Sequence, residues 1–571
     1  MQLINKISKK NKIYSIILLL IIFIVYIIPR GYVWKQNILL EDHDSIGYMS
    51  KARMFLNLDF EKLKNIDPDS TLFYPFMTAF FSLPGWDVEV GARLCSMFFS
   101  GILFLSLILI GRKFSNNYEI ALGLLLLTCN PIFIPFSFAV LTEPTYISTV
   151  YIGLAIYMHS YEQAKIQYAA FLGIIFGLAF LNRLEGVIFF GIIPLFHAIY
   201  YWFQGKNHFD GKKFILFIGL YVFVFLSVIS PQIYMVSSKM GRFALNGREV
   251  WSLILHNPDG KSYEEKLCAL TYSEKQINLE YVWEHPETQK QLSSNISRKF
   301  KSYIMDILNE YNQLYQQQIG ILIGPFGLIF FTMGFVALYQ RGNLFELFFI
   351  SGFIVSTLIP PLMHNVSAMR HIAIIGPVML LLEGIGIVYV SDTLSEKIGY
   401  RSIKYILSFL LFIIIVGSSA IPLRELYDKN PRWKLIEKFY DNPDSYREDA
   451  EIIREVSRRE LIKYPKIITR KTFIAYYAEV ERVYMPYTDY NGLVKFAKLN
   501  NVDFLYLEDW ALPSYPFLEV FRGRKPHPDF LLIHEKKDPK NRLIQLFRFV
   551  QSSTDNGVQG RGSSNQADQI P

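Results

Sequence analysis

Residues 214–237 read FILFIGLYVFVFLSVISPQIYMVS, 24 positions without a charge. A backbone in hydrocarbon must satisfy its own hydrogen bonds, so roughly 20 mostly apolar residues in a row specify a helix that crosses a bilayer. Comparable runs occupy 13–29, 92–111, 119–136, 144–160, 168–182, 185–203, 319–339, 345–362, 372–390 and 405–422. The window rule therefore predicts about eleven spans. Composition agrees with this reading: of 571 residues 51% are hydrophobic and 19% charged, with 47 Phe and 36 Tyr. Soluble globular chains rarely show that balance.

The net charge of +8 is spread over short connectors and forms no basic patch, so no nucleic-acid partner is expected and membrane lipids are. The first run follows Lys6, Lys9, Lys10 and Lys12, which raises a cleaved signal peptide. Arg30, Tyr32 and Trp34 follow it in place of a small-residue cleavage site, so an uncleaved anchor with a cytoplasmic N-terminus is expected. The connectors then assigned to the cytoplasm carry Arg112 and Lys113, Lys165, Lys206 with Lys212 and Lys213, Arg341, and Lys397 with Arg401 and Lys404. Positive charge on every one of them matches the positive-inside rule. The segment 30–91, the turn 137–143, the turn at Arg183, the stretch 239–318, the loop 363–371 and everything after 423 fall on the other, periplasmic or extracellular, face. The three cysteines, Cys95, Cys129 and Cys268, exclude a disulfide framework.

This organisation predicts a mainly α integral membrane domain, 1–422, with outer loops 30–91 and 239–318. Past 423 the pattern changes. A helical stretch at 433–459 precedes β-like runs at 466–469, 482–486 and 503–507, with helical segments at 473–480 and 491–499 between them. A small soluble α/β domain over 423–550 is expected on the non-cytoplasmic side. Residues 551–571 are rich in Ser, Gly, Gln and Asn and are expected to be disordered.

Just beyond the first run comes Glu41-Asp42-His43-Asp44, followed by Ser45-Ile46-Gly47-Tyr48-Met49-Ser50-Lys51-Ala52-Arg53-Met54. An acidic cluster at the outer surface, followed by an amphipathic helix resting Ile46, Met49 and Met54 on lipid, holds a carboxylate at a fixed depth. A base placed there meets a substrate whose tail lies in the bilayer. His43 is a possible metal ligand beside Asp42 and Asp44, but no further His or Cys supports it, so no tightly bound metal is expected. A loosely bound divalent cation is compatible with the cluster.

The arrangement resembles the GT-C fold glycosyltransferases of the branch containing protein O-mannosyltransferases and lipid A aminoarabinose transferases. Asp44, Tyr48, Ala52 and Met54 match the spacing around that branch's essential first-loop Asp. The likeness continues through Tyr74-Pro75-Phe76, Ala92-Arg93-Leu94, Leu141-Thr142-Glu143-Pro144, Leu181-Asn182-Arg183-Leu184-Glu185-Gly186 and Met369-Arg370-His371. Many members of the branch carry an Asp-Glu pair at the first site; here Ser45 follows Asp44 and the extra acids precede it, which leaves Asp42 and Asp44 both open as the base.

The resemblance implies transfer of a sugar from a polyprenyl-phosphate donor to a hydroxyl of a glycolipid, glycan or protein, with inversion and without a cofactor. Asp44, or Asp42, would accept the acceptor's proton. Arg370 and His371, supported by Arg183, would hold the departing phosphate. Tyr48 and Glu143 would contact substrate. Blander roles suit the same residues: Asp44 as a solvated flank, Arg183 and Arg370 as headgroup anchors, Glu143 as a helix start before Pro144. The alternative function is a transporter or lipid flippase. It would place ionisable or Gly/Pro-broken segments at mid-membrane, whereas the acids and arginines singled out here lie at one boundary. Deletion of residues 551–571 is expected to leave expression level and activity in a membrane preparation unchanged.

Overall fold

A computed structural model of the chain describes residues 19–28, 42–59, 61, 63, 71–130, 132–161, 165–204, 211–245, 247, 320–324, 326–357, 373–400, 402–429, 443–486, 488–509, 516–523, 527–537 and 541–550. It divides into two compact units, the second beginning at Asp444 in the described part of the chain.

Helices fill the first unit. The first apolar run carries α1 (Leu19–Ile28). The outer segment contributes α2 (Asp42–Leu56) and α3 (Phe73–Ser82). There follow α4 (Val88–Gly111), α5 (Asn117–Cys129), α6 (Thr142–Ser160), α7 (Ile166–Asn182), α8 (Gly186–Gln204) and α9 (Gly211–Met240). Beyond the stretch 248–319, outside the described residues, come α10 (Gly327–Gln340), α11 (Leu344–Thr357), α12 (Gly376–Ile398) and α13 (Ile403–Lys429). Among the described residues three helices, Val88–Gly111, Gly211–Met240 and Ala373–Ile398, are long and apolar enough to cross a membrane, and seven shorter apolar helices lie in the other runs. Each predicted run thus contains helix, and α13 continues seven residues past the expected end at 422.

Two features hold the bundle together. Small residues let backbones approach: a Cβ on Gly386 would lie 1.8 Å from the Phe330 carbonyl oxygen, and one on Gly384 would lie 2.4 Å from the Gly123 nitrogen. Without a hydrophobic drive between helices in lipid, such close packing carries the association of α12 with α10 and α5. Ion pairs and hydroxyls then tie helix ends. Asn116 and Glu119 form a capping box at the start of α5, and the buried Glu119 carboxylate also accepts both Nη groups of Arg341, at 2.9 and 2.5 Å. The Tyr151 hydroxyl donates to the Ile374 carbonyl at 2.8 Å and accepts from the Val378 amide at 3.0 Å, pinning the entry of α12 to the middle of α6.

The second unit is a five-stranded sheet with helices. Its elements are α14 (Pro443–Arg459), β1 (Lys466–Thr469), α15 (Thr472–Ala478), β2 (Glu481–Tyr484), α16 (Tyr490–Leu499), β3 (Phe504–Glu508), β4 (Phe530–Lys537) and β5 (Leu543–Phe549). The order is β2-β1-β3-β5-β4, with β1 parallel to β2 and β3 and the last pair antiparallel. Helix α14 is fastened to the sheet by Asp449, which accepts from the Tyr506 hydroxyl and pairs with Lys536, both at 2.7 Å, and by Tyr446, which donates to Glu508 at 2.7 Å. The first three strands and the interleaved helices fall where the sequence predicts. The β4–β5 hairpin was not expected: Phe530–Lys537 is four apolar residues followed by four polar ones, which hides the period-2 signal of a strand.

The glycine contacts generate a stability prediction. Gly386→Ala forces α12 off α10 and should cost about 3 kcal/mol or more. Gly219→Ala, at a position with no atom within 4 Å of the new Cβ, should leave stability equal or slightly raised. Thermal unfolding of the detergent-purified protein, followed by loss of the monodisperse peak, checks both.

Candidate active site

The layer that carries the candidate residues is built on α2. Its Ser45, Tyr48, Met49 and Ala52, at helical spacing, are all buried. The helix packs on α3 and α4, and of the three residues expected to rest on lipid Ile46 and Met49 are buried within the protein while Met54 is half-buried. The edge of Tyr48 meets the Tyr74 ring at 5.4 Å. Tyr74, also buried, donates to the Ala92 carbonyl at 3.1 Å and lies 3.1 Å from the Ser96 hydroxyl. Beside the buried stripe runs a half-exposed one, Asp44, Gly47 and Lys51. Asp44 therefore occupies the first turn of a helix whose back is fixed, at the positive end of the helix dipole. The side chains of Asp42 and His43, and residues Arg370 and His371 altogether, lie outside the described residues.

Cross-links join this helix to the next outer turn. The Ser45 hydroxyl donates to the Val140 carbonyl at 2.9 Å, and Ser96 donates to Ala139 at 2.6 Å. Three residues past Val140, Glu143 stands in the first turn of α6, buried. There it meets Arg183, the C-cap of α7: Nη1 donates to Glu143 at 2.5 Å, while Nη2 and Nε reach the two oxygens of Glu185 at 2.9 and 3.4 Å. The guanidinium also lies over the Tyr146 ring at 5.7 Å. Gly186 permits the tight turn that brings Glu185 back, since a Cβ there would lie 2.5 Å from the Phe180 nitrogen.

Sequence reasoning gave Arg183 to a substrate phosphate and Glu143 to a substrate hydroxyl or a plain helix start. The structure brings the two together, with Glu185, as one buried cluster of two carboxylates and one guanidinium. A buried Arg needs such compensation, and its planar fork suits two carboxylates at once. Arg183 lies two residues past a further joint, where the Leu72 amide donates to the Leu181 carbonyl at 3.2 Å. Asp44, Tyr48, Glu143 and Arg183 are thus parts of one cross-linked layer.

Several polar residues escaped the sequence reading. Lys51 shares Asp44's half-exposed stripe, with its ammonium 5.9 Å from the Tyr48 ring. Asn182 and Thr71 are buried on either side of the 72–181 joint. Glu383 is completely buried within α12, its carboxylate without a hydrogen-bond partner. Its signal was available, as the one charge in the run from Gly376 to Val390. It meets the interrupted segment between Gly320–Ile323 and α10, where a Cβ on Gly327 would lie 2.3 Å from Glu383 Oε1. Glu383 was not among the acids singled out at one boundary, because one charge in an apolar run is easily passed over in a hydropathy average. Among the described residues no three His, Cys, Asp or Glu side chains gather as a metal site.

No family model matches the sequence, and no curated protein matches it by sequence. Solved structures do match by shape. The oligosaccharyltransferase AglB of Archaeoglobus fulgidus, in complex with an inhibitory peptide and a dolichol-phosphate, superposes with a TM-score of 0.56 at 12% identity, over 94% of this chain and 74% of that one. The same enzyme tethered to an acceptor peptide gives 0.57 at 12% identity, again over 94% and 74%. ArnT from Cupriavidus metallidurans in the apo state gives 0.50 at 12% identity, over 94% of this chain and 98% of that one. Over nearly its whole length the chain has the fold these proteins share, the GT-C fold.

Proposed function

We propose that the protein is a membrane glycosyltransferase that moves a sugar from a polyprenyl-phosphate donor to a hydroxyl acceptor on the non-cytoplasmic face. One observation carries the reading: a fold shared across 94% of the chain with AglB, whose structure holds a dolichol-phosphate. The first-loop carboxylate on a fixed helix is what such a reaction needs. Asp44 accepts the acceptor's proton as its oxygen attacks the anomeric carbon from the face opposite the phosphate. The phosphate leaves with growing negative charge, which Arg370 and His371 stabilise through charge-assisted hydrogen bonds. The Glu143–Arg183–Glu185 cluster fixes the wall beside α2, and Tyr48 holds that helix against Tyr74. No step requires a cofactor. About eleven spans, with the α/β unit on the outer side, complete the architecture.

A second reading has one observation in its favour. Glu383, an acid inside an apolar helix at an interrupted neighbour, is the pattern by which transporters handle ions or protons.

Asp44→Asn removes the base without changing size and should abolish transfer while leaving insertion and folding intact. The check is mass spectrometry of envelope glycolipids and glycans from cells carrying no copy, the wild type or the variant. A sugar missing in the first and third identifies donor and acceptor; a normal profile in all three ends the reading. Arg370→Ala should slow transfer at least about tenfold and raise the donor KM. Unchanged kinetics would assign Arg370 to a headgroup anchor.

A further inference from the structure

We infer that, whatever reaction the adjoining layer carries out, α3 is immersed in the bilayer, with the face formed by Phe76, Phe80 and Leu83 against lipid acyl chains.

The stretch 70–86 has no charge, but its 17 residues fall short of the roughly 20 that mark a span, so by sequence it reads as outer loop. Its helix inverts the pattern of a helix in water. Tyr74, Thr78 and Ser82 lie on the buried face, while Phe76, Phe80 and the C-cap Leu83, at positions i, i+4 and i+7, are each more than half exposed. A helix at a water surface turns its polar stripe outward and its apolar stripe inward. With aromatic rings outside and hydroxyls inside, the solvent that suits α3 is hydrocarbon.

Depth follows from α4, which is long and apolar enough to cross a membrane and ends at Gly111, just before Arg112 and Lys113. At 1.5 Å per residue Phe98 stands about 21 Å from Arg112 along the axis, inside a hydrocarbon core of about 30 Å that begins there. Phe98 is more than half exposed and shares a stripe of α4 with exposed Leu105 and Leu109, so it faces acyl chains. The Phe81 ring of α3 lies 5.4 Å from Phe98 and 5.8 Å from the Phe80 ring. Phe73 lies 6.0 Å from Phe99, and the Tyr74 hydroxyl reaches Ala92 and Ser96. Helix α3 is therefore laid along 92–99, the last stretch of the core, and its exposed face continues the lipid face of α4. The chain turns at Pro84 and Gly85, where Gly85 has φ +90°, and Trp86 follows beside Asp87, the N-cap of α4. At about 37 Å from Arg112 this turn lies past the core, at the headgroup level that favours Trp.

The other face of α3 touches the candidate site, since Tyr74 meets Tyr48 of α2 edge-on at 5.4 Å. One helix thus separates acyl chains from the helix that carries Asp44.

Nitroxide labels test this in nanodiscs, on the full chain with Cys95, Cys129 and Cys268 replaced by Ala. Labels at Phe76→Cys and Phe80→Cys should be broadened more by oxygen than by a water-soluble nickel chelate, as at Phe223→Cys, an exposed position of α9. A label at Lys397→Cys, in the last turn of α12, should show the reverse. Stronger nickel broadening at 76 and 80 places α3 in water and overturns the inference. Protection from both reagents means that a second copy or another segment covers the face, which overturns it too. The unaltered chain provides a second measurement. A phosphatidylcholine with a diazirine in one acyl chain, photolysed in the same nanodiscs, should leave adducts on the peptide covering 73–86 as well as on α9. Adducts on α9 with none on that peptide overturn the inference.

Discussion

The governing constraint is that a peptide backbone surrounded by hydrocarbon can satisfy its polar groups only within a helix. Helical spans consume the chain's apolar residues and leave chemistry to be done where helices end. In this protein the ends are where the polar groups gather: Asp44 in the first turn of α2, Glu143 in the first turn of α6, Arg183 capping α7, Glu119 opening α5 and Arg341 closing α10. Helix ends also carry the unsatisfied amides and carbonyls that make them natural partners for such groups.

Two kinds of fastening follow from the same constraint. Along the spans, glycines at 123, 334, 384 and 386 bring backbones together. At the ends, charge does the work. Glu119 with Arg341 joins helices distant in sequence, and Arg183 with Glu143 joins the start of α6 to the end of α7, with Glu185 from the same turn as Arg183. The second set is anionic overall, and losing Arg183 would leave two carboxylates facing each other in a buried place. That makes the cluster a rigid part of the wall, with geometry that depends on all three residues being present.

Much of this architecture was legible in the residues, because hydropathy over twenty positions is a strong signal and a helix in lipid has few alternatives. The strands at 466–469 and 503–507 could be read for a related reason, as short β-branched and aromatic runs between helical patterns. The β4–β5 hairpin could not, since Leu531 and Leu532 face outward and charges fill the second half of β4. The partnerships of the candidate residues were less legible. Nothing in the spacing of Glu143, Arg183 and Glu185 says they touch, because that depends on how α6 and α7 pack. Nor does an Asn at the end of an apolar run announce that its amide is unpaired; that shows only once the helices are packed.

Glu383 and Asn182 are both buried polar groups without a hydrogen bond, and the difference between them bears on which function the chain serves. Glu383 Oε1 lies against Gly327, the first residue of α10, and so at the positive end of a 14-residue helix. The dipole of that helix attracts a carboxylate, and the missing side chain at Gly327 gives it room. An intramembrane acid with such a neighbour has a structural account and does not by itself require transport of an ion. Asn182 is the last residue of α7, beside Arg183, whose guanidinium is directed to Glu143 and Glu185. The two differ in place: Glu383 lies within an apolar helix, whereas Asn182 ends one, in the layer that holds Asp44.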